Sequence, residues 1–136
     1  MSNQNQPIRE IMSPTPDTIG AGQSIASAAA RMSELGVRHL PVLYAGKLAG
    51  IISDRDIAFL SGFAGVDPEN TKVEEAMTPE PFVVAPSEPV GQVARRMADQ
   101  KLGSALVVDA DKVVGIVTTV DALSLLADML GVEKAD

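Results

Sequence analysis

Cysteine is absent from this 136-residue chain, and histidine occurs once, as His39. Disulfides, thiol nucleophiles and thiolate-bound metals are therefore excluded, and one chain cannot assemble a histidine-based metal cluster. Aromatics are scarce: three Phe, one Tyr and no Trp. A core must be made of Ala, Val, Ile, Leu and Met, which pack through many small contacts. Basic residues are outnumbered by acidic ones, 11 to 18, for a net charge of −7. That balance argues against nucleic acid, which needs a basic surface to displace counterions, and against an anionic membrane surface. It leaves room for a nucleotide, because a few local cations suffice for one phosphate cluster. No apolar run approaches the roughly 18 residues that span a bilayer. The segment Met1 to Pro7 lacks the charged-then-apolar profile of a secretory signal, so the chain reads as cytoplasmic.

What the chain does have is 46% hydrophobic residues, enough for a core, and an internal repeat. Met12-Ser13-Pro14-Thr15-Pro16 recurs 65 residues later as Met77-Thr78-Pro79-Glu80-Pro81. At the same offset Arg31-Met32 falls on Arg96-Met97, Val42 on Val107, Lys47 on Lys112, Gly50-Ile51 on Gly115-Ile116, and Asp56 on Asp121. No gap is needed from Met12 to about Leu123, so the chain is a duplication. The period is longer than that of solenoids, which points to two globular halves.

Each copy reads as β-α-β-β-α. A short apolar stretch, Thr18-Ile19 or Phe82-Val83-Val84, precedes a helix with apolar residues at Ile25, Ala28, Ala29, Met32 and Leu35, or at Val90, Val93, Ala94 and Met97. That is helical spacing. Gly36 and Gly103 are expected stops, and Ser87 and Pro89 suit a helix start. Two apolar runs follow as a hairpin, turning at Ala45-Gly46 or at Asp109-Ala110-Asp111. A last helix begins near Asp54 or Thr119, with Ile57 and Leu60, or Leu123, Leu126 and Leu130, on its apolar face. The expected organisation is α+β, with repeat one over residues 8–60, a linker over 61–72 and repeat two over 73–130. A half of this size buries too little apolar surface to stand alone. The two are expected to pack about a pseudo-twofold axis with two related clefts between them.

The residues with chemical potential lie where the second hairpin strand meets the last helix. Gly50-Ile51-Ile52-Ser53-Asp54-Arg55-Asp56 matches Gly115-Ile116-Val117-Thr118-Thr119-Val120-Asp121 in pattern. A helix N-terminus offers N–H groups and a partial positive charge to phosphate. The hydroxyl can bond a phosphate or ribose oxygen, and an Asp three residues on can accept both hydroxyls of a ribose. The structural alternative is that Ser53 and Thr118 are N-caps, Asp56 and Asp121 favour the helix dipole, and Gly50 and Gly115 serve packing. The two readings are compatible.

The Met-[Ser/Thr]-Pro openings, Arg38-His39-Leu40-Pro41-Val42 and the twin Gly-x-x-[Ser/Thr]-x-x-Asp segments together resemble a tandem pair of cystathionine beta-synthase (CBS) domains, a Bateman module, over residues 8 to 130. The resemblance implies a ligand of the adenosyl class, such as AMP, ADP, ATP, S-adenosylmethionine, NAD or a cyclic dinucleotide, in the clefts between the halves. It implies ribose binding at Ser53 and Asp56 and at Thr118 and Asp121, with adenine near Ile19 and Val84. It also implies a homodimer through the helices. With nothing else fused to the chain, an effector protein would act in trans, and no cofactor is required. The copies differ at Arg38-His39 against Gly103-Ser104 and at Arg55 against Val120. The expectation is two unequal clefts, with Arg38, His39 and Arg55 serving the phosphorylated one; the alternative is that the arginines pair with surface carboxylates. Gly20-Ala21-Gly22 imitates a dinucleotide fingerprint, but Ile25 stands where the third small residue belongs. Met32 and Met97 lie on the apolar helical stripe and read as core. Two other functions stay open: a structural dimerisation module with empty clefts, and a nucleotide hydrolase resting on Asp56 and Asp121, for which one histidine and no cysteine give little support.

Overall fold

The computed structural model describes residues 6–134. The chain forms two compact units. The first is Pro16–Pro81; the second joins the stretch ending at Thr15 to the one beginning at Phe82. In the first unit β2 (Ile19–Gly20), α1 (Ile25–Leu35), β3 (His39–Tyr44), β4 (Lys47–Ser53), α2 (Asp54–Ser61), α3 (Val73–Ala76) and β5 (Thr78–Pro79) follow in order. The second unit has β1 (Ser13–Pro14), β6 (Val83–Val84), α4 (Val90–Gln100), β7 (Ser104–Asp109), β8 (Lys112–Thr118) and α5 (Thr119–Met129). No helix among the described residues is long and apolar enough to cross a membrane.

Each unit carries a four-stranded mixed sheet, ordered β2-β3-β4-β5 in the first and β1-β8-β7-β6 in the second. The hairpins pair antiparallel, while β2 on β3 and β6 on β7 run parallel. Both hairpins turn on two residues with positive φ, Ala45 (51°) with Gly46 (78°), and Ala110 (50°) with Asp111 (65°). Two left-handed residues match the twist of the flanking strands. The second turn is thus one residue tighter than the sequence suggests, because Asp109 pairs with Lys112 inside the ladder.

The first helix of each repeat buries one stripe, Ile25, Ala28 and Met32 in α1 and Val90, Val93 and Met97 in α4. Ser24 caps α1 by accepting from the Ser27 N–H, and left-handed Gly36 ends it. Helix α4 departs from expectation at its end. Lys101, not Gly103, is the left-handed cap, at φ 58°. Gly103 comes too late, and its carbonyl serves the start of α5 instead. Among the described residues, the buried core of each unit contains no aromatic residue and no polar side chain.

Helix α5 reverses another expectation. Leu123, Leu126 and Leu130 are 60%, 51% and 73% exposed, and no residue of α5 is fully buried. Leu125 packs on the core in their place. Periodicity reveals an apolar stripe but not which side of the helix the core lies on.

The opening segment of each repeat joins the sheet of the other. Strand β1 pairs with β8, Ser13 opposite Ile116, and β5 pairs with β4, Thr78 opposite Ile51. Ahead of these strands, Val90 N–H donates to the Gln6 carbonyl and Ile8 N–H to the Glu88 carbonyl; Ile25 to Thr71 and Val73 to Gln23 repeat the pattern. Each arm thereby delivers one fully buried side chain, Ile8 or Val73, to a core it is remote from in sequence. Each also lays a methionine on a glycine. A Cβ built on Gly50 would stand 2.6 Å from the Thr78 carbonyl oxygen and 2.7 Å from Met77 Sδ. On Gly115 the same atom would collide with Met12 Sδ and come within 2.7 Å of its Cγ. These glycines are where two sequence motifs, Met-x-Pro and Gly-x-x-[Ser/Thr]-x-x-Asp, meet in space. Gly50→Ala or Gly115→Ala is therefore expected to lower stability by about 1–3 kcal/mol through overpacking. Gly22→Ala, whose Cβ meets nothing within 4 Å, should change it by less than about 0.5 kcal/mol. Urea unfolding midpoints check this; equal midpoints for all three variants would refute it.

Candidate functional site

Strand β4 runs directly into α2, and β8 into α5, so the last strand residue is also the helix cap. Ser53 Oγ accepts the Asp56 N–H at 3.1 Å, and Asp56 Oδ2 accepts the Ser53 N–H at 2.9 Å. In the second unit Thr118 Oγ1 accepts the Asp121 N–H at 3.3 Å, and Asp121 Oδ2 accepts the Thr118 N–H at 2.8 Å. The Thr118 hydroxyl also lies 3.2 Å from Asp121 Oδ2. Both are reciprocal capping boxes. Ser53 and Thr118 are thus the N-caps of the structural alternative, while Asp56 and Asp121 enter as reciprocal partners in the box, each engaged through Oδ2.

A second tie fixes the junction from the other side. The Asp54 N–H donates to the Arg38 carbonyl at 3.0 Å, and Thr119 N–H donates to the Gly103 carbonyl at 3.1 Å. Two first-turn donors of each helix, those of Asp54 and Asp56 or of Thr119 and Asp121, are consequently used within the fold. The amide cradle expected from sequence is smaller than a bare helix end would offer.

His39 and Ser104 stand at equivalent places, directly across the hairpin from Ser53 and Thr118. Arg38 is 79% exposed, with Nε 4.0 Å from Asp54 Oδ2. An exposed ion pair of that length contributes roughly 0–1 kcal/mol, so a stronger anion can displace Asp54.

The cationic residues of the first unit do not share one groove. Arg38 and Asp54 line a groove of about 410 Å³ with Met32, Val37 and Ile57. Arg55 and Asp56 line another, of about 370 Å³, with Phe59, Leu60, Glu75 and Ala76. Phe59, Glu75 and Ala76 escaped sequence reasoning, and Leu60 was expected only on the apolar face of its helix. Glu75 and Ala76 reach the site only because α3 precedes β5, the strand that pairs with β4. Phe59 gave a local signal, one helical turn beyond Asp56. Ile19 and Val84 are each 2% exposed and belong to the cores; in this structure their side chains face the protein interior. Among the described residues no group of His, Asp or Glu is arranged to hold a metal ion.

Three comparisons bear on this arrangement. A family model described as CBS domain matches residues 8–61 and again 73–128. The CBS domain-containing protein YhcV of Bacillus subtilis (strain 168) is 31% identical over 114 residues, 84% of this chain and 81% of that protein. Among solved structures, the CBS domain pair of protein MJ0100, in complex with 5′-methylthioadenosine and S-adenosyl-L-methionine, superposes with a TM-score of 0.80 at 33% identity, covering 90% of this chain and 97% of that one. CBSX2 in complex with AMP does so with a TM-score of 0.76 at 25% identity, covering 91% and 98%.

The caps carry a testable consequence that needs no ligand. Ser53→Ala and Thr118→Ala should each cost about 1 kcal/mol, and Arg38→Ala roughly 0–1 kcal/mol, by chemical denaturation. A larger loss for Arg38→Ala than for the caps would contradict the geometry.

Proposed function

The chain belongs to the CBS domain family, carrying two such domains in tandem, and from that premise we propose that it is a non-catalytic regulatory module that binds an adenosyl ligand at its strand-to-helix junctions. The observation that carries this reading is the twinned hydroxyl–carboxylate pair, Ser53 with Asp56 and Thr118 with Asp121. The cap orients each carboxylate through Oδ2; a ribose diol would donate to Oδ1, and at Asp56 also to the remaining lone pair of Oδ2, which at Asp121 the Thr118 hydroxyl takes. The solved neighbours hold AMP, or 5′-methylthioadenosine with S-adenosyl-L-methionine. Adenosine is what those ligands share.

The two junctions would bind unequally. Arg38, His39 and Arg55 flank the first, where Gly103, Ser104 and Val120 stand at the second. Phosphate is assigned to the first junction, with Arg55 beside the ribose-binding Asp56 and Arg38 approaching from its own groove once it leaves Asp54. Binding would shift the module toward whichever state the ligand prefers, by differential affinity, and a partner protein acting in trans would read the shift.

The exposed stripe on α5 supports a homodimer through the helices. Val120, Leu123, Leu126 and Leu130 are each at least half exposed, and contiguous apolar surface of this kind marks an interaction site.

Thermal melts with AMP, ADP, ATP, S-adenosylmethionine, NAD and cyclic dinucleotides test the binding reading. A ligand at about 100 times its dissociation constant should add about 2.7 kcal/mol. Asp56→Asn together with Asp121→Asn should remove that gain while leaving the caps formed. Arg55→Ala should weaken phosphorylated ligands more than S-adenosylmethionine. No shift with any of these compounds would leave a structural dimerisation module as the better account. For the dimer, Leu123→Glu with Leu130→Glu should move a wild-type dimer to monomer in sedimentation; a wild-type monomer would end that part of the reading.

A further inference from the structure

We infer that the thioethers of Met12 and Met77 are paired sites of reversible sulfoxidation, through which a two-electron oxidant such as a peroxide unlatches the exchanged arms. Four observations on the two arms converge. Each thioether lies on a glycine so closely that a Cβ there would collide with it, Met12 on Gly115 and Met77 on Gly50. The strand that each methionine precedes is only two residues long, Ser13–Pro14 or Thr78–Pro79. The next residue is held left-handed in both arms, Thr15 at φ 43° and Glu80 at φ 52°. For a β-branched threonine that conformation is strained, and it is kept by pairing such as the 2.9 Å bond from Thr15 N–H to the Val114 carbonyl. Met12 and Met77 are only partly buried, whereas Met32 and Met97 are 4% and 5% exposed.

The chain has no cysteine to intercept an oxidant, so methionine sulfur is its most readily oxidised group. In the step, a sulfur lone pair attacks one peroxide oxygen, the O–O bond breaks, a sulfoxide S–O bond forms and the second oxygen leaves as water. Sulfur loses two electrons and the peroxide gains them. A dithiol-dependent sulfoxide reductase would return those electrons and restore the thioether. The new oxygen makes the sulfur polar and larger where it packs on the glycine, which weakens the contact. The arm lifts, the left-handed residue relaxes, and the strand that carries the glycine loosens three residues before its cap, Ser53 or Thr118. Met129 is 57% exposed at the end of α5 and provides an internal contrast, since its oxidation alters no core contact.

The test treats full-length protein with hydrogen peroxide, maps sulfoxides by peptide mass spectrometry, and follows the melting temperature and the exchange rate of the Thr15 amide. Sulfoxide at Met12 and Met77 is expected to lower the melting temperature by about 4 °C or more and to speed Thr15 exchange by about tenfold or more. Methionine sulfoxide reductase should reverse both. Met12→Leu with Met77→Leu should resist the loss, as should protein in which norleucine replaces every methionine, while Met129→Leu should still show it. The inference falls if Met12 and Met77 stay reduced while Met129 oxidises. It also falls if they oxidise without either change, or if the norleucine protein loses stability equally.

Discussion

A sulfur atom resting on a backbone with no side chain is the contact on which each sheet depends. Without the glycine, the arm could not approach β4 or β8 closely enough to pair. Without the arm, each unit would lose its outermost strand and one fully buried aliphatic plug, Ile8 or Val73. The contact also joins the two motifs across the repeats, Met12 to Gly115 and Met77 to Gly50. Met-x-Pro and Gly-x-x-[Ser/Thr]-x-x-Asp are not two sites; they are the two surfaces of one joint, and the hydroxyl and carboxylate that cap the last helix lie immediately downstream of it.

The joint also places the residues with binding chemistry. Strand β4 is held by β3 on one side and β5 on the other, so Ser53 reaches its capping position on a strand restrained at both edges. The cap then fixes the phase of α2, which puts Asp56 and Phe59 on one side of the helix and Ile57 in the core. In α5 the same phase puts Ala122 where α2 has Ile57. The second junction therefore keeps its cap while its helix presents leucines outward. One local geometry supports two different surfaces, one charged at its start and the other apolar along its length.

How much of this was legible depended on the sequence distance over which each signal acts. Ser53 and Asp56 lie three residues apart, and a capping box is a local event, so their placement follows from spacing alone. The hairpins, the first helices and the duplication were equally plain, because alternation and helical period are properties of short windows. The outward stripe of α5 was not legible, since a helix apolar on one side and small on the other does not declare which side meets the core. The end of α4 was misplaced because Lys101 adopts a conformation that glycine usually signals. The exchange of arms was least accessible: nothing near Met12 indicates that its partner is Gly115 rather than its own repeat's Gly50. For the same reason Glu75 and Ala76 were invisible as neighbours of Asp56.

The exchange of arms also bears on how such a chain arose. In the present arrangement a lone repeat lacks both the outer strand and the hydrophobic plug that its sheet needs, and it carries a spare copy of each that fits only another repeat. An ancestor encoding one repeat would have met that need by trading arms with a second molecule, an association governed by concentration. Gene duplication would have tethered the two partners, raising the effective concentration of each arm for its acceptor. Once both halves were encoded in one chain, they no longer had to remain identical. Positions such as Arg55 and Val120 could then drift apart while the joint itself stayed the same in both.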